Sequence, residues 1–145
     1  MRASNFFDKN QKRAIVQAIK KAELETSGEV RVHIETSCTG ELFDRAAYWF
    51  GRMKMHKTKL RNGVLFYLAL SDKKFAIIGD AGINAKVPPD FWNTIKESMG
   101  DFFQKGQFTE GLAKGIEMAG DQLKVQFPYQ SDDKNELKDK ISFGW

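Results

Sequence analysis

The stretch at residues 61–82, RNGVLFYLALSDKKFAIIGDAG, decides the fold. It holds the longest apolar run of the chain, residues 64–70, and a second apolar run, residues 75–78, after four polar residues. Two apolar runs joined by a short polar segment predict a β-hairpin. Because residues 64–70 are apolar at every position, both faces of that strand are expected to be buried. The rest of the chain must therefore pack on two sides of the hairpin.

The elements on either side of the hairpin predict an α/β fold. Helical periodicity covers residues 8–25, where Asp8 and Gln11 have the spacing of a capping box. Residues 30–34 alternate between apolar and polar, which predicts a half-exposed strand with His33 on its exposed face. A helix at 41–55 follows, so this strand, the helix and the hairpin's first strand form a βαβ unit with parallel strands. Two more helices are predicted, at residues 90–104 and 109–125.

These elements predict a three-layer α/β/α sandwich. Its sheet would consist of the βαβ unit plus one antiparallel hairpin strand, and helices would cover both faces of the sheet. At 145 residues the chain is expected to form one domain, residues 1–129. Residues 130–145 are mostly polar and are expected to form a flexible C-terminal tail. The last five residues, ISFGW, are unusual for a free tail, and the sequence leaves open whether they dock on the domain.

Composition limits the classes of function. The hydrophobic and charged fractions, 41% and 29%, are typical of soluble globular proteins, and the net charge of +4 is spread along the chain. We therefore expect a monomer with no nucleic-acid partner. The single cysteine, Cys38, allows no internal disulfide, and no apolar run is long enough to span a membrane as a helix. A cytoplasmic protein without a membrane partner is expected.

The predicted topology gathers polar residues at one side of the sheet. We call edge one the side at which the strands at 30–34 and 64–70 begin and the strand at 75–78 ends, and edge two the opposite side. Glycine-flanked turns at edge one would let a backbone approach a ligand closely. The candidate cation ligands there are Glu29, Asn62, Asp80 and Asp121, and the other candidate site residues are Arg61, His56 and Thr58.

Carboxylate, amide and carbonyl oxygens are the ligands that Ca²⁺ and Mg²⁺ prefer. The alternative interpretation makes Asp80 and Asn62 ordinary turn residues. The general rule for open α/β sheets favours the carboxyl ends of parallel strands, which is edge two, whereas the composition favours edge one. Zinc is not expected because the only cysteine and the two histidines show no ligand spacing. No phosphate-binding loop, dinucleotide fingerprint or partnered serine nucleophile is present either.

Four segments together resemble the TPM domain family: residues 27–32 (SGEVRV), 56–65 (HKTKLRNGVL), 74–83 (KFAIIGDAGI) and 103–112 (FQKGQFTEGL). The resemblance extends over residues 6–128 and is strongest to small stand-alone bacterial members. It implies an α/β/α sandwich that binds a divalent cation or acts as a weak acid phosphatase. Carried over by position, the family's acidic and amide residues are Glu29, Asn62 and Asp80. Asp121 rests on the topology alone.

Three functions remain open from the sequence. The first is a binding or regulatory module for Ca²⁺ or Mg²⁺ at edge one. The second is a metal-dependent phosphatase, in which Arg61 would hold phosphate oxygens and the metal would activate water. The third is a domain that binds a protein partner without metal, through the C-terminal tail or exposed aromatic side chains.

Overall fold

A four-stranded mixed sheet organises the computed structural model, which describes residues 2–129 and 140–144. The strands are β1 (Glu29–Glu35), β2 (Gly63–Ala69), β3 (Lys74–Gly79) and β4 (Ile141–Phe143), in the spatial order β3-β2-β1-β4. β1 runs parallel to β2 and to β4, and β2 runs antiparallel to β3. The predicted hairpin and the parallel βαβ unit are therefore both confirmed.

Within the described residues, six α-helices surround this sheet. They are α1 (Ala3–Phe6), α2 (Lys9–Glu23), α3 (Leu42–Arg52), α4 (Ala81–Asn84), α5 (Phe91–Gln104) and α6 (Phe108–Gln126), and a single 3₁₀ turn (Met55–Lys57) precedes β2. The predicted capping box at the start of α2 is confirmed. The Asp8 carboxylate accepts from the Gln11 amide at 2.8 Å, and the Gln11 side chain accepts from the Asp8 amide at 2.9 Å.

The helices form two layers on opposite faces of the sheet, so the three-layer sandwich is confirmed. Val64, Phe66 and Leu68 of β2 pack into the main core, which α2, α5 and α6 cover. Leu65 and Tyr67 face the other side, where α3 and the 3₁₀ turn contribute the covering residues. All seven residues of β2 are buried, as its uninterrupted apolar run predicts.

The prediction of a half-exposed β1 is wrong. Arg31, His33 and Glu35 on its polar face are at most 1% exposed, and all seven residues of the strand are buried. Burying a charged group is costly unless it is paired and hydrogen-bonded. Each of these three side chains has a polar partner, and α3 covers this face of the sheet.

The end of the chain contributes the fourth strand. Ile141–Phe143 pairs with β1, the Val32 amide donates to the Lys140 carbonyl at 3.0 Å, and the Gly144 amide donates to the Ile34 carbonyl at 2.8 Å. Residues 141–144 therefore dock, which the sequence left open. The prediction of a flexible tail otherwise concerns residues 130–139 and Trp145, which lie outside the described residues.

Candidate functional site

The two ends of the hairpin lie side by side at edge one, as the topology predicts. The Gly82 amide donates to the Arg61 carbonyl at 2.8 Å, and the Asp80 amide donates to the Gly63 carbonyl at 3.0 Å. Gly82 is required here, because a Cβ atom would collide with the carbonyl oxygens of Leu60 and Arg61. This close approach fixes the position of Asp80 relative to the strand that precedes it.

Asp80 forms a bidentate ion pair with Arg61. Arg61 Nε donates to Oδ2 and Nη2 donates to Oδ1, both at 2.7 Å, while the Ala81 amide donates to Oδ1 at 2.8 Å. Burial tends to raise the pKa of Asp80, but the hydrogen bonds from Arg61 and Ala81 outweigh it and hold the pKa below its ordinary value. The carboxylate is 6% exposed, whereas the Arg61 side chain is 50% exposed. The cationic partner therefore lies on the solvent side of the pair.

Three further candidates lie in the segment that leads into β2. Asn62 is buried, and its amide nitrogen donates to Ser27 Oγ at 3.3 Å. Thr58 is also buried, and its hydroxyl has no hydrogen-bond partner in the part of the chain that the structure describes. His56 is exposed and near enough to Asp80 for its charge to contribute to the lowered pKa of that carboxyl group.

Glu29 and Asp121 do not join Asp80. Glu29 lies opposite Gly63 on the neighbouring strand, and Arg31 Nη2 donates to its Oε1 at 3.3 Å. β1 and β3 flank β2, so about 10 Å separates their backbones. Asp121 lies on α6, in a groove against α2. Across residues 2–129 and 140–144, no group of three or more His, Cys, Asp or Glu side chains is placed to hold a metal ion.

Edge two carries a buried polar cluster that the sequence analysis missed. Arg45 of α3 donates from Nε to Glu35 Oε1 and from Nη2 to Oε2, both at 2.8 Å, and the Tyr67 hydroxyl donates to Oε1 at 2.6 Å. Burial works against ionisation of Glu35, but the hydrogen bonds from Arg45 and Tyr67 keep its pKa below the ordinary value. Burial and the Glu35 charge raise the pKa of Tyr67, which stays protonated as a donor.

His33 extends this cluster to the C-terminal strand. Its Nδ1 lies 2.6 Å from Ser142 Oγ, and its ring stacks on Trp49 with the centroids 4.0 Å apart. Burial lowers the pKa of His33 to about 4, an effect that Glu35 opposes and Arg45 reinforces. The sequence signal for this cluster is the apolar stripe of α3. Its residues Ala46 and Phe50 pack on β2 and β3 on this face of the sheet, and this packing places Arg45 and Trp49 beside β1.

Comparison with known proteins identifies the family. The family model of the TPM domain matches residues 1–122, and the chain belongs to the TPM domain family. The NMR structure of the BA42 protein from the psychrophilic bacterium Bizionia argentinensis is 47% identical, with a TM-score of 0.90 and 97% of each chain covered. None of the curated proteins with which the chain was compared matches it.

Two more distant structures share the fold. The N-terminal domain of a protein from P. gingivalis is 19% identical with a TM-score of 0.70, covering 86% of this chain and 80% of that one. The N-terminal domain of the cg2496 protein from Corynebacterium glutamicum is 10% identical with a TM-score of 0.68, covering 92% of this chain and 83% of that one. In the described part of the present chain, no helix has the length and apolar character needed to cross a membrane.

Proposed function

We propose that this TPM domain is a binding module that takes one divalent cation, Ca²⁺ or Mg²⁺, at edge one, with Asp80 as the charged ligand. The observation that carries the proposal is the asymmetry of the Arg61–Asp80 pair. The carboxylate is fixed and nearly buried, whereas the guanidinium is half exposed. Because the Arg61 guanidinium can be hydrated where it lies, it loses little by leaving the pair, and a cation can replace it at little cost.

The neighbouring oxygens support the same assignment. The Thr58 hydroxyl and the Asn62 amide are buried beside the turn that holds Arg61, where the Arg61 and Gly63 carbonyls accept from the Gly82 and Asp80 amides. Hydroxyl, amide and carbonyl oxygens together with water complete the coordination of hard cations. Because the pKa of Asp80 is already low, the carboxylate is ionised at neutral pH and needs no proton release to bind.

The composition of the site predicts weak binding. Glu29 is held by Arg31 and Asp121 lies on another face, so Asp80 is the one carboxylate assigned to the cation. The affinity of calcium sites falls as the number of charged ligands falls, and sites with few of them bind at about 10⁻⁴–10⁻³ M. We therefore expect a dissociation constant of about 10⁻³ M.

A titration followed by amide NMR tests the proposal. CaCl₂ and MgCl₂ are added to the wild-type domain and to D80N, with NaCl at matched ionic strength as the salt control. The expected result is a saturable shift confined to residues 56–63 and 79–84 in the wild type and absent in D80N. Asp101 is an exposed aspartate of α5, so D101N is the matched control and should respond as the wild type does. Equal shifts in D80N and the wild type would overturn the proposal.

The phosphatase alternative uses the same site. Once a cation holds Asp80, the released Arg61 guanidinium would be available for the oxygens of a phosphate ester. This alternative requires hydrolysis of p-nitrophenyl phosphate that depends on both Mg²⁺ and Asp80. Cation binding without such turnover would leave the binding module as the function, and turnover unchanged in D80N would exclude this site as its origin.

A further inference from the structure

An apolar cavity of about 670 Å³ opens at edge two, far from the Arg61–Asp80 pair. It lies between the tip of the β2–β3 hairpin, the end of α5, Phe6 at the end of α1 and Phe108 at the start of α6. The residues that line it are Phe6, Leu68, Ala69, Leu70, Lys73, Lys74, Phe75, Gly100, Phe103, Gln104, Gly106 and Phe108. Its volume is within the range of about 300–1,000 Å³ found for small-molecule sites.

Aromatic rings form one wall of the cavity. The Phe103 ring contacts Phe75 edge to face with centroids 4.9 Å apart and lies 5.3 Å from the Phe108 ring. Phe6 contacts Phe108 in turn, at 5.4 Å. Edge-to-face contacts of this kind hold aromatic rings in fixed positions. The wall is therefore pre-formed, which lowers the entropic cost of binding an apolar group.

Gly100 keeps this cavity open. It lies inside α5, where glycine weakens a helix relative to alanine. Packing does not require it, because a Cβ atom added there would meet nothing within 4 Å. Packing does require Gly111 and Gly115 of α6, because a Cβ atom would collide with Phe103 at the first position and with Met99 at the second. The space beside Gly100 is part of the cavity instead.

The charge at the mouth of the cavity is positive. Lys73 in the hairpin turn and Lys74 at the start of β3 both line it and are exposed, and no aspartate or glutamate is among the described residues that line it. A ligand with an apolar body and an anionic head would place the body against the phenylalanine wall and the head beside the two amines.

We propose that this cavity binds a small amphipathic anion, namely a carboxylate with an acyl chain of medium length. The proposal does not depend on the cation site, since the two lie at opposite edges of the sheet. Burial of each further CH₂ group should strengthen binding about threefold to fourfold, so decanoate should bind about tenfold more tightly than octanoate.

The test is an amide NMR titration of the whole chain with sodium decanoate below its micelle concentration. In the wild type, decanoate should shift the amide signals of residues 68–75 and 100–108. In G100L the new side chain fills the cavity, and the apparent affinity for decanoate read from these shifts should fall at least tenfold. Gly51 lies in the last turn of α3 with open space around it, so G51L is the matched control for a leucine replacing a helical glycine and should bind as the wild type does.

The charge of the head group is tested separately. K73Q/K74Q changes only exposed side chains, so the domain stays folded. This variant should bind decanoate severalfold more weakly than the wild type does. Decyltrimethylammonium, a cation with the same chain length, should bind the wild type more weakly than decanoate. Decanoate shifts that are absent in the wild type, or unchanged in G100L, would overturn the proposal. Equal binding of the two amphiphiles would overturn the assignment of an anionic ligand.

Discussion

The two edges of the sheet use the same arginine–carboxylate contact in opposite ways. At edge one, Arg61 holds Asp80 with two hydrogen bonds of 2.7 Å but is half exposed. At edge two, Arg45 holds Glu35 with two hydrogen bonds of 2.8 Å and is only 24% exposed, and the buried Glu35 also accepts from Tyr67. Bond lengths do not distinguish the two pairs. The solvent exposure of the cation does, and it makes the first pair exchangeable and the second structural.

The largest expected effect is the loss of the buried carboxylate at edge two. E35A leaves the buried Tyr67 hydroxyl and the partly exposed Arg45 guanidinium without their acceptor, and donors left unsatisfied in this way cost about 2–4 kcal/mol together. The free energy of unfolding, measured with urea, should fall by that amount. D80A at edge one should cost only about 1–2 kcal/mol, chiefly through loss of the α4 cap. Equal losses would remove the distinction between the edges.

Acid should destabilise the protein through edge two. The pKa of His33 is lowered to about 4 in the folded protein, from 6.5 in the unfolded chain, so the unfolded state binds the proton first as the pH falls. The stability contributed by neutral His33 is present above pH 6.5 and is lost between pH 6.5 and 4, by at most about 3 kcal/mol. Unfolding curves at several pH values measure this loss, and H33N should flatten it. If the free energy of unfolding of H33N still falls steeply between pH 6.5 and 4, other groups cause the loss of stability.

A smaller effect is expected from the contact between β4 and this cluster. S142A removes the hydroxyl that lies 2.6 Å from His33 Nδ1, and a single hydrogen bond of this kind contributes about 1 kcal/mol. Ser37 is an exposed loop residue, so S37A is the control and should leave the free energy of unfolding unchanged. If both variants unfold alike, β4 does not stabilise the cluster in solution.

Much of the fold could be predicted because local patterns and packing agree. The apolar run of β2 predicted its burial on both faces, and the capping box predicted the start of α2. The neighbouring positions of Arg61 and Asp80 followed from antiparallel pairing alone. Edge one was therefore accessible to reasoning from the sequence, although the ion pair that occupies Asp80 was not.

Edge two could not be predicted in the same way, because its features depend on distant residues. Alternation in β1 indicates an exposed polar face unless another element brings a charged partner, and here α3 brings Arg45. A strand of three residues such as β4 is too short to show periodicity. The cavity beside Gly100 is formed by α1, the β2–β3 hairpin, α5 and α6 together, and no pattern in any one of them reveals it.

The Ca²⁺ affinity of R61Q relative to that of the wild type tests most directly whether the Arg61–Asp80 pair is exchangeable. If Arg61 competes with the cation for Asp80, removing its charge should strengthen Ca²⁺ binding up to about fivefold, the equivalent of ~1 kcal/mol. The free energy of unfolding of R61Q should stay close to that of the wild type, because the Arg61 side chain is half exposed. Weaker Ca²⁺ binding by R61Q, or binding unchanged from that of the wild type, would contradict the proposal that a cation displaces Arg61 from Asp80.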